Sequence, residues 1–376
     1  MYFQGLEEPK MMITEEKNAF ISYSSIERAA LVKTNVPLLI VLCPNYEDRS
    51  QAVSQSISHI INKVTRPVSY LMICLKNKKN NDMILEDLKE TNINGISLTL
   101  NISDESIEWL DYPNNFTSNA LRSSIERFLN DLYIDGKPVD ALFDISTMPR
   151  SIIFHLCENI TKFIAANIVG KIYFAYSQPQ TYSKVHYAQD VGTLKGLFSG
   201  RMIEFNNKQS LHAVVFPSRT GHEGKLLCDS LDNLNRSSSF SIYFPIHATE
   251  FNSSLDIMRA NQSLLDREAY NSYFYCTLQD AIKELNDYFN RESLNIQRLA
   301  NQKIKTKEEV TKQTYLVAPF GAKIFMPIAY FGLLRLKDAA PQLVNIEICH
   351  VKGFQYTSVY STGIGTITCF ELEVRN

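Results

Sequence analysis

Four short stretches hold the residues with the most chemistry. "NYEDRS" sets Tyr46, Glu47, Asp48 and Arg49 after an apolar run, and "FDISTMPR" sets Asp144, Ser146, Thr147 and Arg150 after another. Downstream, "PSRTGHEGK" brings His222, Glu223 and Lys225, and "PFGAK" brings Gly321 and Lys323. "FDISTMPR" and "PFGAK" each end in a cation at a helix start, and cations there suit an anion, because free backbone N–H groups and the positive dipole end gather there. Arginine forks phosphate oxygens and lysine acts as a point charge. The hydroxyls of Ser146 and Thr147 add donors. Tyr182 in "QTYS" and Tyr356 in "QYTS" offer rings on which a base can stack, and Tyr46 opens "YEDR", which resembles "HEGK" (His222 to Lys225) as ring, acid, small or acid, base. Glu47, Asp144, His222 and Glu223 are the candidates for moving a proton. The expected ligand is a nucleotide. The bland alternatives are a surface ion pair between Glu47 and Arg49, worth little, solvated first-turn cations, and tyrosines that only pack.

The elements that must position these residues alternate. "VPLLIVLCP" reads as a strand, "QAVSQSISHIINKV" as a helix, and "VSYLMICLK" and "GISLTLNI" as two more strands. Leu121, Ile125, Phe128, Leu129 and Leu132 make an apolar stripe at helical spacing. "VDALFDIS", "RSIIFHLCENITKFIAANI" and "GKIYFAYSQP" follow as strand, helix and strand. Continuous apolar strands between helices predict a mostly parallel sheet covered on both faces. Ligands bind beyond the carboxyl ends of such strands, which is where the four stretches fall.

The second half repeats the plan. "LHAVVFP" answers "LLIVLCP", "FSIYFPI" answers "VSYLMIC", "SYFYCTL" answers "GISLTLN", "TYLVAPFGAK" answers "ALFDISTMPR", and "VNIEICHV" answers "KIYFAYSQ". Pro44 and Pro217 are 173 residues apart, and so are Arg150 and Lys323. The expected architecture is α/β: two similar Rossmann-like domains, residues 6–200 and 201–376, arising by internal duplication. The leading "MYFQG" looks like a tag scar and is left out. The charged segment from Arg298 to Gln313 reads as a helix end plus a solvated connection. "GIGTIT", from Gly363 to Thr368, reads as a hairpin turn past the repeated plan.

Composition narrows the classes. A net charge of −2 excludes a general nucleic-acid coat, so any anion site is local. No apolar run approaches the roughly 20 residues that span a bilayer, and no signal peptide is readable. Seven scattered cysteines without a C-x-x-C pair suggest buried free thiols and the cytoplasm. Histidine spacing suggests no metal, and no cofactor is implied.

"DISTMPR" resembles the loop after the fourth strand of the CARF domains and of the SAVED domains, which fuse two CARF-like units. That loop often reads acid, Ile or Leu, Thr, two glycines, Thr and Lys before a helix. Asp144, Ile145, Ser146 and Arg150 match in position or kind, and "PFGAK" keeps Gly321 and Lys323. The double glycine is absent from the first copy and half present in the second. The resemblance implies a sensor of cyclic or linear oligonucleotides in prokaryotic antiviral defence, acting through a partner protein or self-assembly. An enzyme acting on a nucleotide or nucleoside, and a scaffold subunit of a defence complex, are the other two readings.

Overall fold

The computed structural model describes residues 18–31, 35–76, 83–112, 116–134, 136–182, 193–203, 210–219, 221–231, 239–245, 251–266, 270–306, 312–352 and 361–375. The chain starts with β1 (Asn18–Ser24) and α1 (Ile26–Leu31). A first alternation follows: β2 (Leu38–Leu42), α2 (Ala52–Ile61), β3 (Val68–Lys76), α3 (Met83–Leu100), β4 (Ile107–Asp111), α4 (Ser118–Leu132), β5 (Val139–Asp144), α5 (Arg150–Ala165) and β6 (Val169–Tyr182). After β7 (Thr193–Gly196) comes a second: β8 (Ser210–Phe216), α6 (His222–Leu231), β9 (Ser239–Pro245), α7 (Phe251–Ala260), α8 (Gln262–Leu265), β10 (Tyr270–Tyr275), α9 (Leu278–Thr306), β11 (Gln313–Pro319), α10 (Phe325–Ala339) and β12 (Val344–Lys352). A long strand, β13 (Ser361–Arg375), ends it.

The fold is α/β and Rossmann-like, with two mostly parallel sheets. The first runs β1-β13-β6-β5-β2-β3-β4 and the second β10-β9-β8-β11-β12-β7. Five strands of each are mutually parallel. Numbered along the chain, both sets take the order third, second, first, fourth, fifth. The order in which strands are added reverses between the first and fourth strands of each set, which makes β2/β5 and β8/β11 the switch points where ligands bind in such sheets.

Sheet membership crosses the boundary expected at residue 200. β7 pairs antiparallel with β12, and β13 returns to pair antiparallel with β6 and β1. Gly363 to Thr368 is therefore strand, not a hairpin turn. The glycines mark a register irregularity between Ile364 and Ile367, and Gly363 has φ +75°.

"GISLTLNI" is a second correction: its first six residues form the last turns of α3. Ile96, Leu98 and Leu100 alternate as in a strand, yet Leu98 is 84% exposed while Ile93, Ile96 and Leu100 are buried. Their spacing of three and four is a helical stripe. The third strand is instead β4, "IEWLD", whose acids hide it from an apolar search. Leu98→Lys should accordingly shift stability by no more than about 0.5 kcal/mol in denaturant unfolding. A larger loss would place Leu98 in the core.

Packing follows from strand alternation. Leu38, Ile40 and Leu42 face α1, α2 and α3, whereas Leu39 and Val41 face α4 and α5. The second sheet buries Leu211, Ala213 and Val215 under α6, α7 and α8. Its other face, with α9 and α10, joins the α4–α5 face in one continuous core. Phe154 on α5 meets Tyr330 on α10 edge to face, with centroids 5.4 Å apart. At the far end of the first sheet, Arg66 braces three strand starts. It bonds Val36 O, Pro37 O and Asp140 Oδ2, and Asp140 Oδ1 accepts from Lys171 N.

Candidate functional site

The two switch points meet. Arg150, first residue of α5, donates through Nη2 to Phe320 O at 2.6 Å and to Gly321 O, both after β11. Lys323, after β11, donates to Ser146 O at 3.1 Å and lies 3.9 Å from Glu47 Oε1. Each loop thus sends a cation to the other's carbonyls. The residues expected to bind an anion hold the two halves together as a reciprocal clasp. Gly321 belongs to it for a steric reason: its N–H reaches Phe216 O at 2.9 Å, and an added Cβ would lie 3.2 Å from Pro217 O.

Glu47 and Arg49 are not a surface pair. They are 7% and 2% exposed. Arg49 Nη2 lies 2.8 Å from Glu47 Oε2, Nε donates to the same oxygen at 2.9 Å, and Nη1 donates to Ser177 O at 3.0 Å. Its guanidinium carbon also lies 5.7 Å from the Tyr176 ring centroid. The short 3-10 turn Asp48–Gln51 delivers Arg49 here, and Asp48 accepts from Gly363 N of β13.

The hydroxyls of "FDISTMPR" turn inward. Ser146 Oγ donates to Asp144 Oδ1 and accepts from Ser177 N, and Ser146 N also donates to Asp144 Oδ1. Thr147 donates to Cys43 O at 2.6 Å. Pro149 is the N-cap of α5, where its missing N–H costs nothing. Burial pushes the Asp144 carboxyl up to about 6, against the pull of the Ser146 hydrogen bonds and of the Arg49 and Lys323 charges. Burial draws the Lys323 ammonium down to about 7; Glu47 opposes this, and Arg49 and Arg150 add to it.

Glu223, in the first turn of α6, accepts from Ser218 Oγ. His222 and Lys225 are exposed on that helix, and Tyr46 is half-buried. Tyr182 ends β6 opposite Ser361, its side chain outside the described residues, and Tyr356 lies wholly outside them.

Two asparagines went unnoticed in the sequence. Asn92 on α3 donates to Asn45 O and Glu47 O, fastening the loop after β2. Asn261, between α7 and α8, donates to Ser218 O, fastening the loop after β8. Both lie between the second and third parallel strands of their sheets. In the sequence each is a polar residue within an apolar helical stripe. Gly221 completes the second loop with φ +72°, and an added Cβ would lie 1.7 Å from Ala260 O.

Among the described residues no group of His, Cys, Asp and Glu is placed to hold a metal, and no helix is long and apolar enough to cross a membrane. The cysteines are free, and all but Cys276 are buried. No protein-family model matches the chain, and no curated protein matches it either.

Proposed function

We propose that the chain binds a phosphate-bearing ligand of the nucleotide class where its two switch points meet, and acts as a sensor. One observation supports this above the rest. Arg49, Arg150 and Lys323 gather with Glu47 and Asp144 at the carboxyl ends of parallel strands from both sheets. A secluded excess of positive charge favours an anion, whose oxygens can replace the Phe320, Gly321 and Ser146 carbonyls as acceptors. The oligonucleotide identity of the ligand, the defence setting and action through a partner or self-assembly rest on the resemblance to CARF and SAVED domains. The shared strand order and the matching roles of Asn92 and Asn261 support descent of the two halves from one duplicated unit.

A melting-shift screen of cyclic and linear nucleotides, with products followed by chromatography, tests the reading. A shift without turnover is expected. Turnover by the chain alone would favour the enzyme, with Asp144 and Lys323 as its acid and base, both displaced toward neutrality as such groups are. Binding to a protein partner without either result would favour the scaffold.

Arg150→Ala should weaken the stabilising nucleotide by about 1.5–3 kcal/mol in calorimetric titration, the scale of a hydrogen bond to a charged group. Because Arg150 clasps the opposite loop, the variant should also lose about 1–2 kcal/mol of stability. Unchanged affinity would remove Arg150 from the site. At pH 7–8 the wild type should take up as much as about one proton on binding, because an anion beside Lys323 raises its pKa. Titrations in buffers of different ionisation heat read this directly.

A further inference from the structure

The open side of the first sheet has a different character. β4 is its terminal strand, and no described strand pairs with its far side. Such an edge is a template for another chain. Beside it, α3 and β4 enclose a groove of about 320 Å³ lined by Glu90, Ile93, Asn94, Asp104, Ile107 and Trp109. Ile93 and Ile107 give it an apolar floor, and Glu90 and Asp104 stand exposed. Trp109, the chain's one tryptophan, is 43% exposed. Its ring already attracts two ammonium groups, Lys76 Nζ at 5.3 Å and Lys89 Nζ at 5.6 Å from the centroid. Exposed Met83, Ile84 and Leu88 extend the apolar surface along the start of α3. The stretch "SDESIEWLD", Ser103 to Asp111, has four acids and no base; Arg127 pairs with Glu108, and the acids outnumber that cation and the two lysines at the ring once Glu90 is counted.

We propose that this groove docks an extended segment of another protein that presents arginine or lysine side chains. An aromatic face beside carboxylates is the combination that holds a cationic head, and apolar walls suit its methylene stem. The segment's backbone would run along β4 as an added strand. The acidic rim selects for a basic partner and repels the phosphates of a nucleic acid. This docking is independent of the strand-end site.

Because Trp109 is the sole tryptophan, its fluorescence reports this groove. The full chain is titrated with a peptide of alternating arginine and valine, and with its glutamate–valine counterpart, calorimetry running in parallel. A saturable response to the basic peptide alone is expected, weakened by salt. Glu90→Gln with Asp104→Asn, both exposed, should leave melting unchanged and weaken binding about tenfold. Absence of binding in both readouts, an equal response to the acidic peptide, or undiminished binding by the double variant would each overturn the proposal. A response that follows the protein's own concentration, with a dimer in sedimentation, would assign the edge to a second copy and overturn it too.

Discussion

Glu47→Ala is expected to cost the fold about 3–5 kcal/mol, the range for removing one partner of a buried ion pair. Glu47 Oε2 receives two nitrogens of Arg49, and Oε1 faces Lys323. Alanine takes away the carboxylate that Arg49 holds with two nitrogens; its bonds to the Ser177 carbonyl and the Tyr176 hydroxyl and its contact with the Tyr176 ring bring no opposing charge. It also removes the group that holds the Lys323 proton on most strongly, so that lysine should titrate lower still. The cost is uncompensated charge rather than lost packing, so Glu47→Ala combined with Arg49→Met should recover much of it. Urea midpoints at constant slope measure both. A Glu47→Ala midpoint within experimental scatter of the wild type would mean that water reaches Arg49 and the pair is not secluded.

The strands of this fold were legible because their chemistry is local. "LLIVL" and "VDALFD" are buried along their whole length, so their apolar runs announce central parallel strands. The switch-point rule then singles out the loops after them as the edge where a ligand is expected. β4 shows no apolar run because it is a terminal strand with acids in it, and within α3 Ile96, Leu98 and Leu100 mimic strand alternation. The return of β13 to the first sheet, more than 170 residues after β6, has no local signature either.

Four residues of the candidate site were legible as a group, but not their bonds. Residue type and position marked Glu47, Arg49, Arg150 and Lys323 as a group. Whether Arg150 meets a ligand or a carbonyl depends on Phe320, 170 residues away. Both partners are polar, and backbone carbonyls carry no sequence information. The opening residues of α5 therefore suit a phosphate and a domain clasp equally well, and only tertiary placement distinguishes them.

Lys323→Met should stabilise the protein, by as much as a few kcal/mol at pH 6, with the gain shrinking as pH rises. In the unfolded chain the lysine titrates near 10.5, and in the fold near 7. Between these values the unfolded chain holds a proton that the folded chain has released, so wild-type stability climbs by up to about 1.4 kcal/mol per pH unit. Below pH 7 the lysine is charged in both states and the full cost of secluding that charge is present. Methionine has a similar length and no charge, so it removes the cost but also loses the bond to Ser146 O and the attraction to Glu47. Those losses are why the gain stays below what the pKa displacement alone implies. Asp144 contributes the opposite slope: its folded pKa is raised to about 6 from 3.8, so its penalty grows between those values as pH rises. Removing Lys323 takes away a charge that favours the Asp144 carboxylate, so that window should move slightly upward in the variant. Melting temperatures of both proteins from pH 5.5 to 10 separate the contributions, because the difference isolates position 323. A variant less stable than wild type at pH 6, or a difference that does not change across pH 7–10, would mean that Lys323 keeps its ordinary pKa and that the clasp is open to solvent.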